Sequence, residues 1–451
     1  MVADGRTIDY SYDNGNRLYQ VLSPGPVATI TYDLAGRRQA LSYPNLVTTT
    51  YTPNRAGFLT NLLTRYNQQT TINSFAYLPD GMGNRTNMTD LAGLHVYAYD
   101  ATYQLTNATH PNMPLEQFSY DEVGNRLTSE GQAPSLRNTE YTYDFENRLI
   151  EVDYFGTLAQ YKYDPFGRRI EKNVNGAITR YLYDGPNIAT EYDGAWNVQA
   201  QYTHTLEVDD PLTVTQGANT YYYHRDGLGS VVNLTDSAGN SIKSYDYKSF
   251  GGIYSETGSL VQPFTFTGRE YDPESGLYFY RARYYDPRAG RFLTKDPIGF
   301  AGRDVNLYRY VQNNPVNWID PLGLIPLDTI WDIGNVIYDI ATGRWDDLAL
   351  DAAAMMIPYV PAGISKVAKA GKSVCEVKKY HPRVRARSVQ DPKSHNFPYS
   401  FDDDILSTKP ISRKNDYKIY QKEGSMNDKA GVYEIGVTKD GVIDHRFFRP
   451  Y

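Results

Sequence analysis

The stretch Phe118-Ser-Tyr-Asp-Glu-Val-Gly-Asn-Arg-Leu127 decides the fold of this chain. Its first residues alternate between aromatic and polar side chains up to the Tyr-Asp pair, which is the period of a β-strand. The Gly-Asn step that follows accepts positive φ and predicts a tight turn. Arg-Leu then begins a returning strand, so the pattern predicts one β-hairpin.

The same pattern recurs along the first half of the chain. Its tyrosine stands at positions 12, 32, 77, 99, 120, 143, 163 and 183, and most steps are 20 to 23 residues. An isolated hairpin is marginal in water, but stacking the next one beside it extends the sheet and buries its face. We therefore interpret the Tyr, Asp and Arg of each repeat as scaffold residues.

The composition agrees with a β-sheet protein and limits the kinds of site and cellular location to be considered. The 451 residues include 42 Tyr and 36 Gly, which favour strands and tight turns. The single cysteine, Cys375, excludes an intrachain disulfide and a multi-cysteine metal site, and no metal or cofactor is expected. Residues 1–6 lack the apolar segment of a secretory signal, and no apolar run is long enough to span a bilayer. We therefore expect synthesis in the cytoplasm, no stable membrane insertion, and export by a dedicated delivery machinery.

Two later segments carry a family resemblance. Tyr271–Phe300 is very close to the Rhs-associated core signature, and Pro315–Leu324 fits the pattern P-x-x-x-x-D-P-x-G-L at every fixed position. Together with the hairpin repeats, they resemble the Rhs/YD-repeat family. The resemblance implies a sheet strip that spirals into a hollow shell, a core that seals the shell, and self-cleavage between Leu324 and Ile325. The chain carries fewer repeats than a closed shell needs, which suggests a fragment or a short form.

Self-cleavage of this kind requires a pair of carboxylates near the bond that is cut. One activates water and the other donates a proton, and two close carboxylates separate their pKa values to supply both roles. Asp320 is the motif aspartate, and Asp304 is predicted as its partner because it lies in the adjoining loop. Arg291 is the predicted cation, and Asp296 is a weaker candidate. Asp-Pro pairs are also common turn starters, which is the simpler explanation for Asp296.

The periodicity changes after Leu324. Apolar residues recur at spacings of three and four in Ile330–Ala341 and Trp345–Ile357, which predicts two helices. The segment 325–374 resembles the pretoxin linker that follows this motif in the family. A helical spacer and a hydrophobic hairpin for membrane crossing are both open, and the embedded aspartates favour the spacer.

Residues 375–451 are predicted to form a small α+β domain. They contain 15 Lys and Arg against 11 Asp and Glu, whereas the whole chain has a net charge of −7. Phe401–Leu406 is predicted as a short helix. The predicted strands are Tyr417–Lys422, Lys429–Val437 and Val442–Phe448. The basic residues predicted to bind RNA are Arg383, Arg385, Arg387 and Lys393.

Two histidines suggest a chemistry for this domain. A metal-free endoribonuclease needs a base, an acid and a cation near the phosphate. His395 lies in a polar loop, and His445 lies on the last strand, where alternation places it with Ile443 and Phe447 on one face. A buried structural role for His445 is equally open. The predicted supporting groups are Lys418, Arg446 and Tyr433.

The layout resembles small bacterial ribonuclease toxins, although no fixed motif supports that likeness. An ADP-ribosyltransferase using Glu434 remains an alternative, as does a non-enzymatic surface or adhesion shell with a degenerate tail. If the tail is a toxin, a cognate immunity protein must protect the producer, and RNA is the expected substrate.

The sequence thus predicts a mainly β protein. It would consist of a YD-repeat shell (1–270), a core plug with the cleavage motif (271–324), an α-helical linker (325–374) and an α+β toxin domain (375–451). Interbacterial competition is the expected setting.

Overall fold

The computed structural model describes residues 2–3, 5–129, 139–302, 304–324, 326, 379–380, 405–406, 408–412, 417–426, 429–439 and 442–451. It divides into two compact units, residues 1–366 and 367–451, which are treated separately. The predicted helical linker lies outside the described residues except for Pro326. The same holds for the predicted boundary at residue 375, so both stay predictions.

The first unit contains two large sheets in which every strand pairs with its sequence neighbour. A two-stranded ribbon, β1–β2, precedes them, and a four-stranded sheet, β27–β30, follows them. The ribbon and the first sheet comprise β1 (Val2–Ala3), β2 (Arg6–Thr7), β3 (Asp9–Tyr12), β4 (Leu18–Ser23), β5 (Gly25–Tyr32), β6 (Arg38–Ser42), β7 (Val47–Pro53), β8 (Leu59–Tyr66), β9 (Thr70–Pro79), β10 (Arg85–Thr89), β11 (Leu94–Tyr99), β12 (Leu105–Thr109), β13 (Glu116–Tyr120) and β14 (Arg126–Ser129).

The second sheet is again a twelve-stranded antiparallel meander. It comprises β15 (Thr139–Tyr143), β16 (Leu149–Tyr154), β17 (Thr157–Tyr163), β18 (Arg169–Val174), β19 (Ala177–Asp184), β20 (Asn187–Asp193), β21 (Val198–His204), β22 (Pro211–Gln216), β23 (Asn219–Arg225), β24 (Val231–Thr235), β25 (Ser241–Tyr247) and β26 (Ile253–Thr257). The four-stranded sheet comprises β27 (Glu270–Asp272), β28 (Leu277–Tyr280), β29 (Arg283–Asp286) and β30 (Arg291–Phe292), with 3₁₀ turns at Phe266–Gly268, Gly299–Gly302 and Val311–Asn313.

The repeat residues have the scaffold role that their spacing predicts. In one copy, Oδ1 of Asp33 accepts the backbone N–H groups of Ala35 and Arg37, and its Oδ2 accepts Nε of Arg37 at 2.7 Å. The hydroxyl of Tyr32 donates to the carbonyl of Leu18 in the preceding hairpin at 2.7 Å. The guanidinium of Arg17, in that hairpin, lies 4.7 Å from the ring centre of Tyr32. This repeat thus fixes its own turn and bonds to the hairpin that precedes it.

The plug, residues 271–324, packs against both large sheets. Leu277, Phe279 and Tyr284 share a buried cluster with residues of β16 and β17 in the second sheet. On the other side, Nη1 of Arg85 in the first sheet donates to the carbonyl of Val316 at 2.9 Å. An aromatic core inside the plug contains Tyr278, Tyr280, Tyr285, Phe292 and Tyr310. The plug therefore contacts both large sheets, which are together called the wall below.

A buried ion network anchors the plug to the second sheet and supports a stability prediction. The side chain of Arg169 is 1% exposed and pairs with Glu270 at 2.9 Å and with Asp272. The side chain of its neighbour Arg168 is 36% exposed and pairs with Asp164. Arg169→Ala removes the cation that the two buried carboxylates share, although Asp272 keeps Lys172 at 3.0 Å and Glu270 keeps Arg269 at 3.5 Å. The substitution is expected to lower the free energy of unfolding by about 3 kcal/mol. Arg168→Ala should cost about 1 kcal/mol at most. Urea unfolding of the two variants measures the difference, and equal shifts would contradict this account.

The second unit contains a five-stranded sheet in the order β31-β35-β34-β33-β32. Its strands are β31 (Lys379–Tyr380), β32 (Ile411–Ser412), β33 (Lys418–Met426), β34 (Lys429–Val437) and β35 (Val442–Pro450). The three predicted strands are therefore present, and β33 and β35 extend further than predicted. Ile405 and Leu406, at the end of the predicted short helix, are helical. Ile405 packs on the core face of the sheet with Tyr433, Ile435, Ile443 and Phe448.

Candidate functional site

The tight turn between β28 and β29 holds the segment that precedes Leu324. Nη1 of Arg281 donates to the carbonyl of Pro321 at 2.5 Å, and the backbone N–H of Ala282 donates to the carbonyl of Leu322 at 3.3 Å. Nε of Arg283 donates to the carbonyl of Gly323 at 2.6 Å. Three successive carbonyls are thus fixed by three successive residues. Gly323 is required here because its φ is +67° and a Cβ would lie 2.5 Å from the carbonyl oxygen of Tyr280.

Two buried aspartates meet at one guanidinium beside this segment. Nη2 of Arg283 lies 3.1 Å from Oδ2 of Asp296 and 3.3 Å from Oδ2 of Asp320. The guanidinium lies 3.6 Å from the ring centre of Phe292, which fixes its position. Oδ1 of Asp320 also accepts the backbone N–H of Leu324 at 2.8 Å. The structure therefore brings Asp320 to Leu324 as the motif predicts, with Asp296 as the second carboxylate.

Asp296 also lies near the carbonyl of Leu324. A Cβ placed on Gly302 would be 3.0 Å from Oδ2 of Asp296 and 3.1 Å from the carbonyl oxygen of Leu324, so both atoms border the same small space. Burial raises the pKa of Asp296 to about 6, against the opposing effect of the Arg283 charge, and the nearby Asp320 adds to the rise. Asp296 is therefore suited to carry a proton close to neutral pH. Ile325, on the far side of the predicted cut, lies outside the described residues.

The other two residues predicted for this site occupy different positions. Both carboxylate oxygens of Asp304 are held by Arg309, at 2.7 Å from Nε and 2.8 Å from Nη2. Arg291 is exposed, and its guanidinium lies 4.6 Å from the ring centre of Tyr308. In the described structure it is Asp296 and Arg283 that stand beside Asp320. Asp304 acts on Asp296 and Arg283 through its charge, whereas Arg291 contacts Tyr308, and the roles of both in the predicted cleavage stay predictions.

A second candidate site lies on the sheet of the second unit. Nε2 of His445 on β35 lies 3.2 Å from Oε1 of Glu434 on β34. The other oxygen of Glu434 accepts Nε2 of Gln421 on β33 at 2.6 Å. His445 and Glu434 are both partly exposed, with side chains 27% and 20% accessible. The ring of Phe447 lies 6.0 Å from that of His445. A histidine and a carboxylate therefore stand in contact on an accessible face.

The face predicted for His445 was partly wrong. Gly436 pairs with His445 but Val437 pairs with Ile443, so Asp444 is an extra residue in β35 and the alternation shifts by one. Ile443 consequently lies in the core while His445 lies on the opposite face with Phe447. The bulge thus separates His445 from the packed side of the sheet.

The predicted supporting groups lie on the other side of the sheet from His445. Tyr433 is 6% exposed and belongs to the core cluster, and burial raises the pKa of its hydroxyl. Arg446 is 2% exposed and faces Ile435 across the ladder. Lys418 is exposed. It lies two residues before Tyr420 on β33, so strand alternation places both side chains on the side of the sheet where Tyr420 packs on the core. None of these three described side chains shares the face of His445, because neighbouring strand positions point to opposite sides.

The remaining predicted residues of this domain, His395, Arg383, Arg385, Arg387 and Lys393, lie outside the described residues. Among the described ones, no group of three or more His, Cys, Asp or Glu comes together in a way that could hold a metal ion. The described part of the chain also has no helix long and apolar enough to cross a membrane.

Three of the site residues were not singled out from the sequence. Arg283 is the second arginine of the sequence Arg-Ala-Arg at the turn between β28 and β29. Two arginines at a tight turn are the sequence feature that could have indicated it. Glu434 was considered only for a different reaction, and Gln421 was not considered. Their role becomes visible through strand register, because Gln421 pairs with Glu434 across the ladder.

Comparisons with known proteins place this architecture in a family. The family described as Teneurin YD-shell matches residues 45–316. The tRNA3(Ser)-specific nuclease WapA of Bacillus spizizenii is 32% identical over 365 residues, which cover 75% of this chain and 15% of that protein. The toxin protein Tse5 of Pseudomonas aeruginosa is 38% identical over 108 residues, covering 24% of this chain and 8% of Tse5.

A solved structure supports the same fold. The crystal structure of TcdB2-TccC3-Cdc42 superimposes with a TM-score of 0.60 at 20% identity, covering 78% of this chain and 21% of that one. The chain spans 11–15% of the length of the WapA relatives that it matches. The family match covers more than half of the chain, and the hairpin repeats and the plug fit it. The chain therefore belongs to the Teneurin YD-shell family and is an Rhs/YD-repeat protein.

Proposed function

We propose that the chain is part of a self-cleaving polymorphic toxin, in which the plug cuts the chain between Leu324 and Ile325 and frees a C-terminal effector. The observation that carries this proposal is the pair Asp296 and Asp320, joined by Arg283 beside Leu324. Relatives named as a nuclease and a toxin support an effector role for the part that is freed. On this proposal the domain boundaries predicted at residues 271, 325 and 375 separate the wall, the plug, the linker and the effector.

The geometry supports a hydrolysis in which the two aspartates have different tasks. Asp320, ionised, takes a proton from a water molecule as its oxygen attacks the carbonyl carbon of Leu324. Asp296, protonated, donates to the carbonyl oxygen and so stabilises the tetrahedral intermediate. When the intermediate collapses, Asp320 passes the proton it took from water to the nitrogen of Ile325, the bond between Leu324 and that nitrogen breaks, and the hydroxyl proton returns to Asp296. Arg283 keeps both carboxylates and the carbonyl of Gly323 in place throughout.

This division of labour predicts a pH dependence. Asp296 has to be protonated, and its pKa is about 6. The rate constant for cutting should therefore fall by about tenfold per pH unit between pH 6 and pH 8. Chain made by cell-free translation at pH 8 and then shifted to lower pH, with the fragments followed on gels, measures this rate. A rate that is constant or rises over that range would contradict the role of Asp296.

For the freed effector we propose a metal-free endoribonuclease that uses His445. In this reaction Glu434 accepts the proton of a ribose 2′-hydroxyl and His445 protonates the leaving 5′-oxygen. The 3.2 Å contact between the two side chains on an open face carries the assignment. The basic residues predicted to bind RNA and His395 would contribute the phosphate contacts, since the segment from residue 375 has a net positive charge.

The proposal also implies two kinds of partner. A cognate immunity protein would block the effector in the producing cell, and an acidic surface would suit a basic effector. Export and entry into a target cell would depend on a delivery machinery. Incubating the full-length chain with total cellular RNA, with and without the product of the adjacent reading frame, tests the RNA substrate and the immunity protein. RNA cleavage that this product suppresses is expected, whereas intact RNA together with protein modification in the presence of NAD would favour ADP-ribosyl transfer instead.

A further inference from the structure

One side chain connects the wall of the shell to the segment that is cut. Arg281, in the turn between β28 and β29, donates from Nη1 to the carbonyl of Pro321. The same guanidinium contacts Asp209 through both carboxylate oxygens, at 2.7 Å from Nη2 and 3.0 Å from Nη1. Its Nη2 also donates to the carbonyl of Pro186 at 3.3 Å. Asp209 and Pro186 belong to two connections between strands of the second sheet, so Arg281 links that sheet directly to the cleavage motif.

Asp209 is itself firmly held. Its side chain is 5% exposed, and Arg269 pairs with its Oδ1, the same oxygen that contacts Nη2 of Arg281. Nε of Arg269 donates to the carbonyl of Phe279 in β28 at 3.1 Å. The next residue, Asp210, is 0% exposed and accepts Nη2 of Arg38 from the first sheet at 2.8 Å. A single connection of the wall thus joins the first sheet, the second sheet and the turn that holds the cleavage segment.

The contact between Arg281 and Pro321 lies close to the bond that is cut, so a small displacement of Arg281 would also move that bond. Arg281 fixes the carbonyl of Pro321, and Leu324 follows three residues later, with the intervening carbonyls held by the rest of the same turn. Arg281 has a φ of +56°, a left-handed conformation that a non-glycine residue keeps only where its surroundings hold it. The two hydrogen bonds that Asp209 accepts from Arg281 contribute to that restraint. A misplacement of about 1 Å at a reacting group can reduce a rate by about a hundredfold.

We propose that Asp209 is a positioning residue for self-cleavage, which makes the cut conditional on a correctly formed wall. The inference rests on the proposed self-cleavage and adds its regulation. An unfolded or partly folded wall leaves Arg281 without its carboxylate partner, and the turn then cannot hold Pro321–Gly323 in register with Asp296 and Asp320. Premature release of the effector is thereby prevented while the wall is still assembling.

The test compares cutting rates in full-length variants. Asp209→Asn keeps the size of the side chain but removes its charge, and we expect cutting to slow by about tenfold to a hundredfold. The pH dependence of the residual rate should be unchanged, because Asp296 is untouched. Arg281→Gln should have a similar effect, and Arg281→Lys should restore most of the rate because an ammonium can still bridge Asp209 and Pro321.

The matched control is Arg38→Gln, which breaks the neighbouring ion pair with Asp210 but leaves every described contact of Arg281 in place. It is expected to lower thermal stability and still cut at the wild-type rate at temperatures where the chain is folded. Normal cutting by Asp209→Asn would overturn the inference while leaving self-cleavage intact. Equal slowing by Asp209→Asn and Arg38→Gln, in proportion to lost stability, would also overturn it. A wild-type chain that stays whole would overturn the proposed cleavage itself.

Discussion

Asp320→Asn is expected to abolish cutting between Leu324 and Ile325, with a loss in rate of at least about a hundredfold. An asparagine still accepts the backbone N–H of Leu324 through its side-chain oxygen, so the segment should keep its position. What the substitution removes is the negative charge that activates water. Asp296→Asn should have a comparable effect for the opposite reason, because the amide cannot supply the proton that the carbonyl oxygen of Leu324 requires.

The matched control for both variants is Asp304→Asn. Asp304 carries the same functional group within the same plug, but Arg309 holds both of its oxygens. Its loss should change the cutting rate by less than about threefold, because the charge of Asp304 is the smallest of the named effects on the pKa of Asp296. Time courses on gels, with thermal unfolding to confirm the fold, compare the three variants. Loss of cutting in Asp304→Asn with normal cutting in Asp296→Asn would favour the pair expected from the sequence.

His445→Ala is expected to reduce RNA cleavage by the full-length chain by at least about a hundredfold. Glu434→Gln should reduce it similarly, because the amide keeps the contact with Gln421 but cannot act as a base. Cleavage of labelled total RNA provides the readout, and growth arrest on expression provides a second one.

Lys418→Ala is the control for this site, since Lys418 lies on the core side of the sheet and away from His445. It should retain activity within about threefold. An inactive Lys418→Ala beside a fully active His445→Ala would contradict the assignment. Loss of activity in neither variant would remove the catalytic role of this face.

The sequence was informative where the structure is set by neighbouring residues. The repeat turn depends on contacts within five residues, such as those between Asp33 and Arg37, so its pattern is visible directly. Asp320 was identified from its place in the family motif, and its contact with the backbone of Leu324, four residues later, is equally local.

The sequence does not show which side chains are brought together by the packing of distant segments. Asp304 and Asp296 are both close to Asp320 in the chain, and only the path through the 3₁₀ turn at Gly299–Gly302 brings Asp296 to Leu324. The bulge at Asp444 places Ile443 on the face opposite to His445, and strand alternation contains no signal for it. The pair Asp209 and Arg281 is separated by 72 residues and depends entirely on the fold of the wall.

The most direct test of the account is the intact mass of the purified full-length chain. If the chain cuts itself between Leu324 and Ile325, we expect two products, residues 1–324 and 325–451, with a new amino terminus at Ile325, in place of one 51.2 kDa species. Recovery of the uncut 51.2 kDa chain at pH 6, with its fold shown to be intact, would contradict it.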